Sequence, residues 1–178
     1  MAYGLKYDLL CKAKNGITAN LKLYFNGYAG SPIDRNMPGN SPLVFRKDPS
    51  SVIKGTSVEF GIREEVDFEM LDFYSNDPRK IKAELYYNST LIWTGYNAPQ
   101  QYEADYVPAP STLRFTATDF LGLLKNEDFN LTGRNSQLAI IMYCCDKIGL
   151  NIGYSIAINL FESSHDTTRT CLAQTFED

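Results

Sequence analysis

Few residues of this chain combine a reactive side chain with a spacing that suits catalysis. The only histidine is His165, which stands in a run with Ser163, Ser164 and Asp166. A Ser/His/Asp triad needs three groups that converge in space, and direct neighbours in sequence rarely do so. A metal site at His165 would have to recruit Cys or carboxylate ligands, because no second histidine exists. We therefore interpret His165 as a surface residue.

The four cysteines show no spacing typical of zinc or redox sites. No two of them form a CxxC motif. Cys144 and Cys145 are adjacent within a helical pattern, so their side chains point about 100° apart. The other two are Cys11 and Cys171. We interpret all four as small buried residues of a reducing compartment, and we expect no metal and no cofactor.

Carboxylates are concentrated in one short segment. Oxygen ligands of this kind suit a cation, but their spacing matches no metal-binding loop, which favours solvated charge around an apolar anchor. Other glutamates lie on or near expected strands, where an exposed strand face is a simpler interpretation than the carboxylate pair of a glycoside hydrolase. The segment contains Glu64, Glu65, Asp67, Glu69 and Asp72, and the strand glutamates are Glu59, Glu84 and Glu103. The residues by themselves indicate a protein that is not an enzyme.

The charge balance argues against a nucleic-acid partner. Lys and Arg total 17 against 21 Asp and Glu, for a net charge of −4, whereas binders of phosphate backbones carry a basic excess. The best basic and aromatic stretch, residues 79–87, distributes its charges over both faces of a strand. No apolar run approaches the ~20 residues of a membrane span. We also expect no signal peptide, because alternation follows the N-terminus directly.

Aromatic residues are the unusual feature of the composition. The 178 residues include 12 Tyr, 10 Phe and one Trp. Aromatic side chains favour strands and protein interfaces, and a chain of this length can bury a sizeable core in one large domain or two small ones. We expect a β-rich body whose tyrosines pack within the protein or on a neighbour.

The first two strands predict a hairpin with a definable register. Apolar and polar residues alternate over 5–11 and again over 17–25. A two-residue loop would place apolar residues opposite polar ones, whereas a three-residue loop over 14–16 keeps one face apolar. Gly16 then takes the left-handed position that such loops need. The predicted pairs are Cys11 with Ala19, Leu9 with Leu21, and Tyr7 with Leu23.

Further strands are expected along the body, followed by helical spacing. Gly and Pro punctuate residues 26–41, which predicts a loop. Residues 64–74 predict a loop with one short helical turn that docks aromatic residues. The strands are expected at 43–46, 56–63, 81–87, 91–96 and 112–118.

The last third predicts helices. Asp119 can cap a short helix, and Asn135 or Ser136 can cap a longer one that ends at Gly149. The longer helix has one apolar face, expected to be core, formed by Leu138, Ile141, Met142, Cys145 and Ile148. A strand is expected over 152–158, and the polar segment 163–178 has no strong pattern.

A run of strands before helices favours the α+β class. We predict a β-rich body of antiparallel strands, barrel- or sandwich-like, followed by a helical segment and a short strand. We place a β-rich domain at residues 1–125. Residues 126–178 then hold the helical segment and short strand, as the start of a further domain.

Residues 91–125 contain a recognisable pattern. Trp93 and Gly95 lie in one strand, Pro99 and Tyr102 connect it to the next, and that strand runs into Asp119-Phe120-Leu121-Gly122. The pattern resembles tail proteins encoded by phages and prophages of Bacteroides-type bacteria, at the N-terminal part of a baseplate or tail-hub protein. The family has Asp-Gly-Leu-Gly at the turn, and a Phe adopts a left-handed backbone only at a cost. We therefore expect a different turn here.

The resemblance implies a structural protein of the virion tail, assembled in the bacterial cytoplasm and acting through protein–protein contacts without catalysis. Tail hubs are rings, often trimeric, so it implies a homo-oligomer, with a trimer favoured, and other tail proteins as partners. Trp93 would be a core anchor, Gly95 would allow close backbone approach, and Asp119 would cap a helix; Pro99, Tyr102 and Gly122 complete the motif. The candidate interface residues are Tyr86, Tyr87, Tyr96 and Tyr106, and the family's longer chains suggest an N-terminal fragment.

Three alternatives stay open. A distal-tail adaptor would share the β body but form a hexameric ring. A carbohydrate-binding adhesin would expose an aromatic platform, either Trp93 or the tyrosines, in a shallow groove. A hydrolase would need polar groups that converge in a pocket.

Overall fold

The protein divides into two compact units, Met1–Asp119 and Phe120–Asp178. The computed structural model describes residues 2–12, 16–47, 55–102, 108–119, 121, 124, 128–148 and 170–172. The strands of the first unit are β1 (Tyr3–Lys12), β2 (Thr18–Asn26), β3 (Ile33–Asn36), β4 (Val44–Lys47), β5 (Thr56–Glu64), β6 (Ile81–Tyr87), β7 (Thr90–Asn97) and β8 (Ser111–Thr118), with one 3-10 turn at Leu71–Phe73. The second unit contains β9 (Arg134–Ser136), α1 (Gln137–Ile148) and β10 (Thr170–Leu172). The predicted β-rich α+β class is confirmed.

The first unit is built on one eight-stranded sheet. Its strand order is β3-β1-β2-β6-β7-β8-β5-β4. All neighbouring pairs are antiparallel except β1 and β3, which are parallel. The prediction of a loop throughout residues 26–41 is therefore wrong at β3. The four residues of β3 show no alternation of apolar and polar residues, and only pairing with β1 makes them a strand.

The predicted register of the β1–β2 hairpin is confirmed. Cys11 lies opposite Ala19, and the pairs at Leu9 and Tyr7 also follow the prediction. Gly16 has a φ of +79°, the left-handed backbone that glycine adopts without strain. The register shifts between Leu5 and Tyr7, so Lys6 is the extra residue of a β-bulge.

The sheet curls around a single apolar core. The ring of Phe73, from the 3-10 turn, lies 5.8 Å from the ring of Tyr7 on β1 and 4.2 Å from the ring of Phe115 on β8. In a flat sheet β1 and β8 would be about 19 Å apart, at four strand spacings of about 4.8 Å. One ring can touch both strands only because the sheet bends round it. Phe73 therefore fills the centre of a barrel-like body.

The edges of the curled sheet also approach each other. Arg35 on β3, at one edge, donates from Nη1 to the backbone oxygen of Arg63 on β5 at 2.9 Å. β5 is the last strand but one at the opposite edge. At this point, the two edge regions of the sheet are therefore linked by the Arg35 side chain and not by hydrogen bonds between paired strand backbones.

In the second unit, β9 and β10 are antiparallel, and α1 follows β9 directly. The helix confirms the predicted start at Ser136, which is the residue before it. Ile141 and Met142 are both more than 40% exposed, so the prediction that they are core is wrong. The segment 163–178 has no strong sequence pattern, and β10 within it pairs with β9.

Candidate functional site

Trp93 joins β7 to β5 and to the end of β8 through a chain of hydrogen bonds. Its side chain is 8% exposed, and its Nε1 donates to Thr56 Oγ1 at 2.8 Å. The hydroxyl and the backbone N–H of Thr56 both donate to Asp119 Oδ2 at 2.5 Å. Because Trp93 is buried, it cannot be the exposed aromatic platform of a sugar-binding groove. The helix that Asp119 was expected to cap lies mostly outside the described residues, so that role stays a prediction.

Gly95 precedes Tyr96, which lies opposite Thr118 where β7 pairs with β8. A Cβ at this position would lie 2.5 Å from the carbonyl oxygen of Thr118 and would overlap the Trp93 ring. Real side chains do not tolerate such contacts, so the close approach of the two strands depends on glycine. Gly95 therefore has a structural role beside Trp93.

Pro99 and Tyr102 lie in the connection after β7. Pro99 is exposed in the turn. Tyr102 packs against the core and donates from its hydroxyl to Glu64 Oε1 at 3.3 Å. Burial, followed by the Glu64 carboxylate, raises the pKa of Tyr102. Glu64 is itself only 3% exposed and also accepts the backbone N–H of Met70 at 3.2 Å, so Tyr102 helps to hold the segment that follows β5.

The candidate interface tyrosines do not form one surface. Tyr87 is exposed and Tyr86 is half-buried. Tyr96 is only 4% exposed and its ring lies 6.0 Å from that of Tyr3, so its prediction as an interface residue is wrong. The ring and hydroxyl of Tyr3 both contact Tyr96. Tyr106 and the motif residue Gly122 lie outside the described residues.

Glu84 is the centre of a polar cluster on the outer face of β2 and β6. Its carboxylate accepts the Tyr86 hydroxyl at 2.8 Å and pairs with Lys82 Nζ at 2.7 Å. Partial burial works to raise the pKa of Glu84, but hydrogen bonds from Lys82, Tyr86 and Tyr24 outweigh it and hold the pKa below its usual value. Burial of Tyr24 is the main cause that raises its pKa, and the Glu84 carboxylate raises this pKa further.

Replacing Glu84 by glutamine should reduce stability at neutral pH and leave it nearly unchanged in strong acid. A carboxylate whose pKa is lowered by folding contributes stability above its unfolded-state pKa, and this contribution is lost as the pH falls through the folded-state pKa. Urea unfolding of the wild type and the E84Q variant at about pH 7 and about pH 3 measures the difference. An equal difference at both pH values would contradict the assigned charge interactions. Glu65→Gln, at an exposed ion pair with Arg63, is the matched control and should change little.

Residues 65–74 present exposed apolar side chains, which we call the apolar knob: Val66, Phe68, Leu71 and Tyr74. Each of them is more than half exposed, and Phe68 reaches 68%. Phe68 also has a φ of +64°, a left-handed backbone that costs energy in a bulky residue. Consecutive turns compact the segment, with hydrogen bonds such as Leu71 N to Phe68 O at 3.2 Å.

The apolar knob is firmly anchored. Met70 and Phe73, which alternate with the exposed residues, are almost fully buried. Ion pairs attach Asp72 to Lys6 and Glu69 to Arg35, and the Lys6 ammonium lies 4.9 Å from the centroid of the Phe25 ring. The segment is thus held on β1 and β3 while its other side faces outward. Two of the acidic residues that were considered for a cation site, Glu69 and Asp72, are thus engaged in ion pairs.

No family model, curated protein or solved structure matches the chain. Within the described ranges, no group of three or more His, Cys, Asp or Glu could hold a metal ion. No helix in the part that the structure describes is long and apolar enough to span a membrane. The site geometry and the sequence pattern of residues 91–125 therefore carry the functional interpretation.

The sequence analysis identified residues that make structural contacts within the fold but did not identify its exposed apolar surfaces. Trp93, Gly95, Tyr102 and Asp119 all have structural contacts, as described above. The apolar knob had a sequence signal, since Phe and Leu interrupt an acidic run. That signal did not separate the residues that are buried from those that are exposed.

Proposed function

We propose that this chain is a structural assembly module of a phage or phage-like tail, in the baseplate or tail hub. It acts through contacts between copies of itself, with a trimer favoured, and with other tail proteins. The observation that carries the assembly role is the apolar knob, and the pattern at residues 91–125 supports its assignment to a tail. The protein functions in the virion tail after assembly in the bacterial cytoplasm.

The apolar knob has the properties of a protein contact. Large patches of exposed apolar side chains are rare on monomers and often mark interaction sites. Phe and Tyr are also enriched at interfaces. The anchoring by Met70, Phe73 and the two ion pairs means that little ordering remains to be done on binding, which favours affinity. The strained backbone of Phe68 is of the kind that occurs at functional sites.

The outer edge of β4 is the complementary surface that we assign to the neighbouring copy. Phe45, Arg46 and Lys47 on this strand are all exposed. Lys47 on this strand and Asp67 in the segment of the apolar knob carry opposite charges. Both surfaces also expose an aromatic ring, Phe45 on β4 and Phe68 in the apolar knob. A contact between two different surfaces of the same protein generates a ring when the rotation closes. Among the described strands, β4 pairs only with β5, and a strand edge of this kind is available for contact.

The oligomeric state in solution tests the proposal. Light scattering over a dilution series should show a trimer that dissociates on dilution. The double variant Phe68→Ser, Leu71→Ser should be monomeric at concentrations where the wild type is trimeric. We expect at least a tenfold weaker association, which corresponds to about 1.4 kcal/mol. Both side chains are exposed, so the variant should keep the wild-type circular dichroism spectrum.

A matched control uses exposed apolar residues outside the apolar knob. Leu91→Ser, Ile92→Ser changes two such side chains at the start of β7 and should leave the trimer intact. A wild type that is monomeric at all concentrations, or a trimer that the Phe68/Leu71 variant does not weaken, would contradict the proposal. A hexamer would instead favour the distal-tail adaptor.

A further inference from the structure

A polar cleft lies on the outer face of β5 and β8. Its volume is about 790 Å³, which is large enough for a short oligosaccharide. Its floor is formed by side chains that point away from the core, Glu59 on β5 with Thr112, Arg114 and Thr116 on β8. These strands pair so that Arg114 lies opposite Gly61, and Ser41 occupies the space that a side chain at Gly61 would fill.

Two loop segments form the walls of the cleft. Ser41 covers Gly61 so closely that a Cβ on the glycine would lie 2.5 Å from the Ser41 hydroxyl oxygen. On the other side, the turn after β7 runs along the edge of β8. Ala98 N–H donates to Thr116 O at 3.0 Å, and Gln101 Oε1 accepts the Thr116 N–H at 2.6 Å. The wall after β7 is thus hydrogen-bonded to β8, whereas the wall at Ser41 packs directly on Gly61.

The cleft contains one positive charge without a counter-charge. Glu59 Oε1 pairs with Arg46 Nε at 2.6 Å, so these two charges compensate each other. Among the described residues, no carboxylate pairs with Arg114, which is exposed on the floor. The remaining polar side chains of the lining, such as Asn40, Gln100 and Thr112, are neutral donors and acceptors.

Gln100 is held in a strained conformation in the cleft wall. Its φ is +58°, at a turn position after proline that normally favours glycine. Its side chain donates from Nε2 to Asn76 Oδ1 at 2.7 Å. This hydrogen bond fixes the orientation of the side-chain amide, including its oxygen. Strain that the surrounding structure maintains is characteristic of functional positions.

We propose that this cleft binds a saccharide that carries a carboxylate. The Arg114 guanidinium would bind the carboxylate with two parallel hydrogen bonds, and the neutral amides and hydroxyl groups would bind the sugar hydroxyls. A peptide strand fits less well, because Ala98 and Gln101 already occupy the edge of β8 at Thr116. Glu59 is the only carboxylate among the described lining residues, so the proposal is binding and not hydrolysis.

Titration with trigalacturonic acid, followed by backbone amide NMR shifts, tests the proposal. We expect shifts at the cleft residues and binding that is about tenfold weaker in the Arg114→Gln variant, as loss of a charge-assisted hydrogen bond implies. Lys12→Gln removes a positive charge from an exposed residue outside the cleft lining and should leave binding unchanged. Glu59→Gln should strengthen binding, because it releases the positive charge of Arg46.

Three results would overturn the proposal. One is the absence of shifts at millimolar trigalacturonic acid, and another is binding that the Arg114→Gln variant does not weaken. The third is equal binding of a neutral trisaccharide or of triglutamate, which would show that the carboxylate or the sugar is not recognised. Arg114→Gln and Lys12→Gln change exposed side chains, and the circular dichroism spectra of both variants should match that of the wild type.

Discussion

Phe73→Ala should lower the free energy of unfolding by about 3–5 kcal/mol, the range for truncating a buried phenylalanine to alanine. Phe73 is 1% exposed, and its ring contacts those of Tyr7, Phe25 and Phe115. These contacts come from strands on both sides of the curled sheet, so the cavity cannot close by a shift of one neighbour. A domain with a total stability of about 5–15 kcal/mol would lose a large share of it.

Urea unfolding followed by circular dichroism measures this effect. Ile92→Ala is the matched control, since Ile92 lies outside the apolar knob and is 54% exposed, so its truncation should change stability by no more than about 0.5 kcal/mol. Losses of similar size in the two variants would mean that Phe73 is not the centre of the core. A loss for Phe73→Ala below about 1 kcal/mol would lead to the same conclusion.

Trp93→Ala should also lower the free energy of unfolding by about 3–5 kcal/mol. The substitution removes a buried ring and leaves the Thr56 hydroxyl without its donor. It also opens the space beside Gly95, where the ring lies against the backbone. Because the three strands meet at Trp93, Thr56 and Asp119, the loss should reduce the cooperativity of the first unit as a whole.

Trp93→Phe separates packing from hydrogen bonding at this position. It keeps most of the buried ring but removes the indole N–H, so its loss should be smaller than that of Trp93→Ala. Leu91→Ala, on the same strand but exposed, is the control and should be nearly neutral. Trp93 is the only tryptophan, so its fluorescence reports directly on this site in the wild type. A fluorescence spectrum typical of a solvated indole in the folded protein would contradict its burial.

The tests of the two surfaces can be separated from each other. Phe68 and Leu71 belong to the apolar knob, whereas Arg114 lines the cleft on β8. The Phe68/Leu71 variant should lose self-association and keep the binding of trigalacturonic acid. The Arg114→Gln variant should bind trigalacturonic acid more weakly and keep its self-association. Failure of one proposal therefore leaves the other open to its own measurement.

The candidate sites differ in how much of them the sequence predicted. The structural roles of Trp93 and Gly95 follow from residue type, because a tryptophan in a strand favours the core and glycine permits close contact. The cleft had no signal in the sequence. Its lining comes from β5, β8 and two distant loops. Arg35, Arg46 and Arg63 form ion pairs, whereas Arg114 has no carboxylate partner among the described residues. A pattern of residue types does not show which charges are compensated.

The sequence by itself determined the local elements, because the alternation of apolar and polar residues is a local property. It predicted the class, most strands, the start of α1 and the register of the first hairpin, in which one-residue slippage would put apolar residues in water. Only the tertiary structure decided how the sheet curls, that β3 pairs with β1, and that Tyr96 is buried while Phe68 is exposed. These features depend on which distant segment lies over each position, and that is set by packing of the whole core.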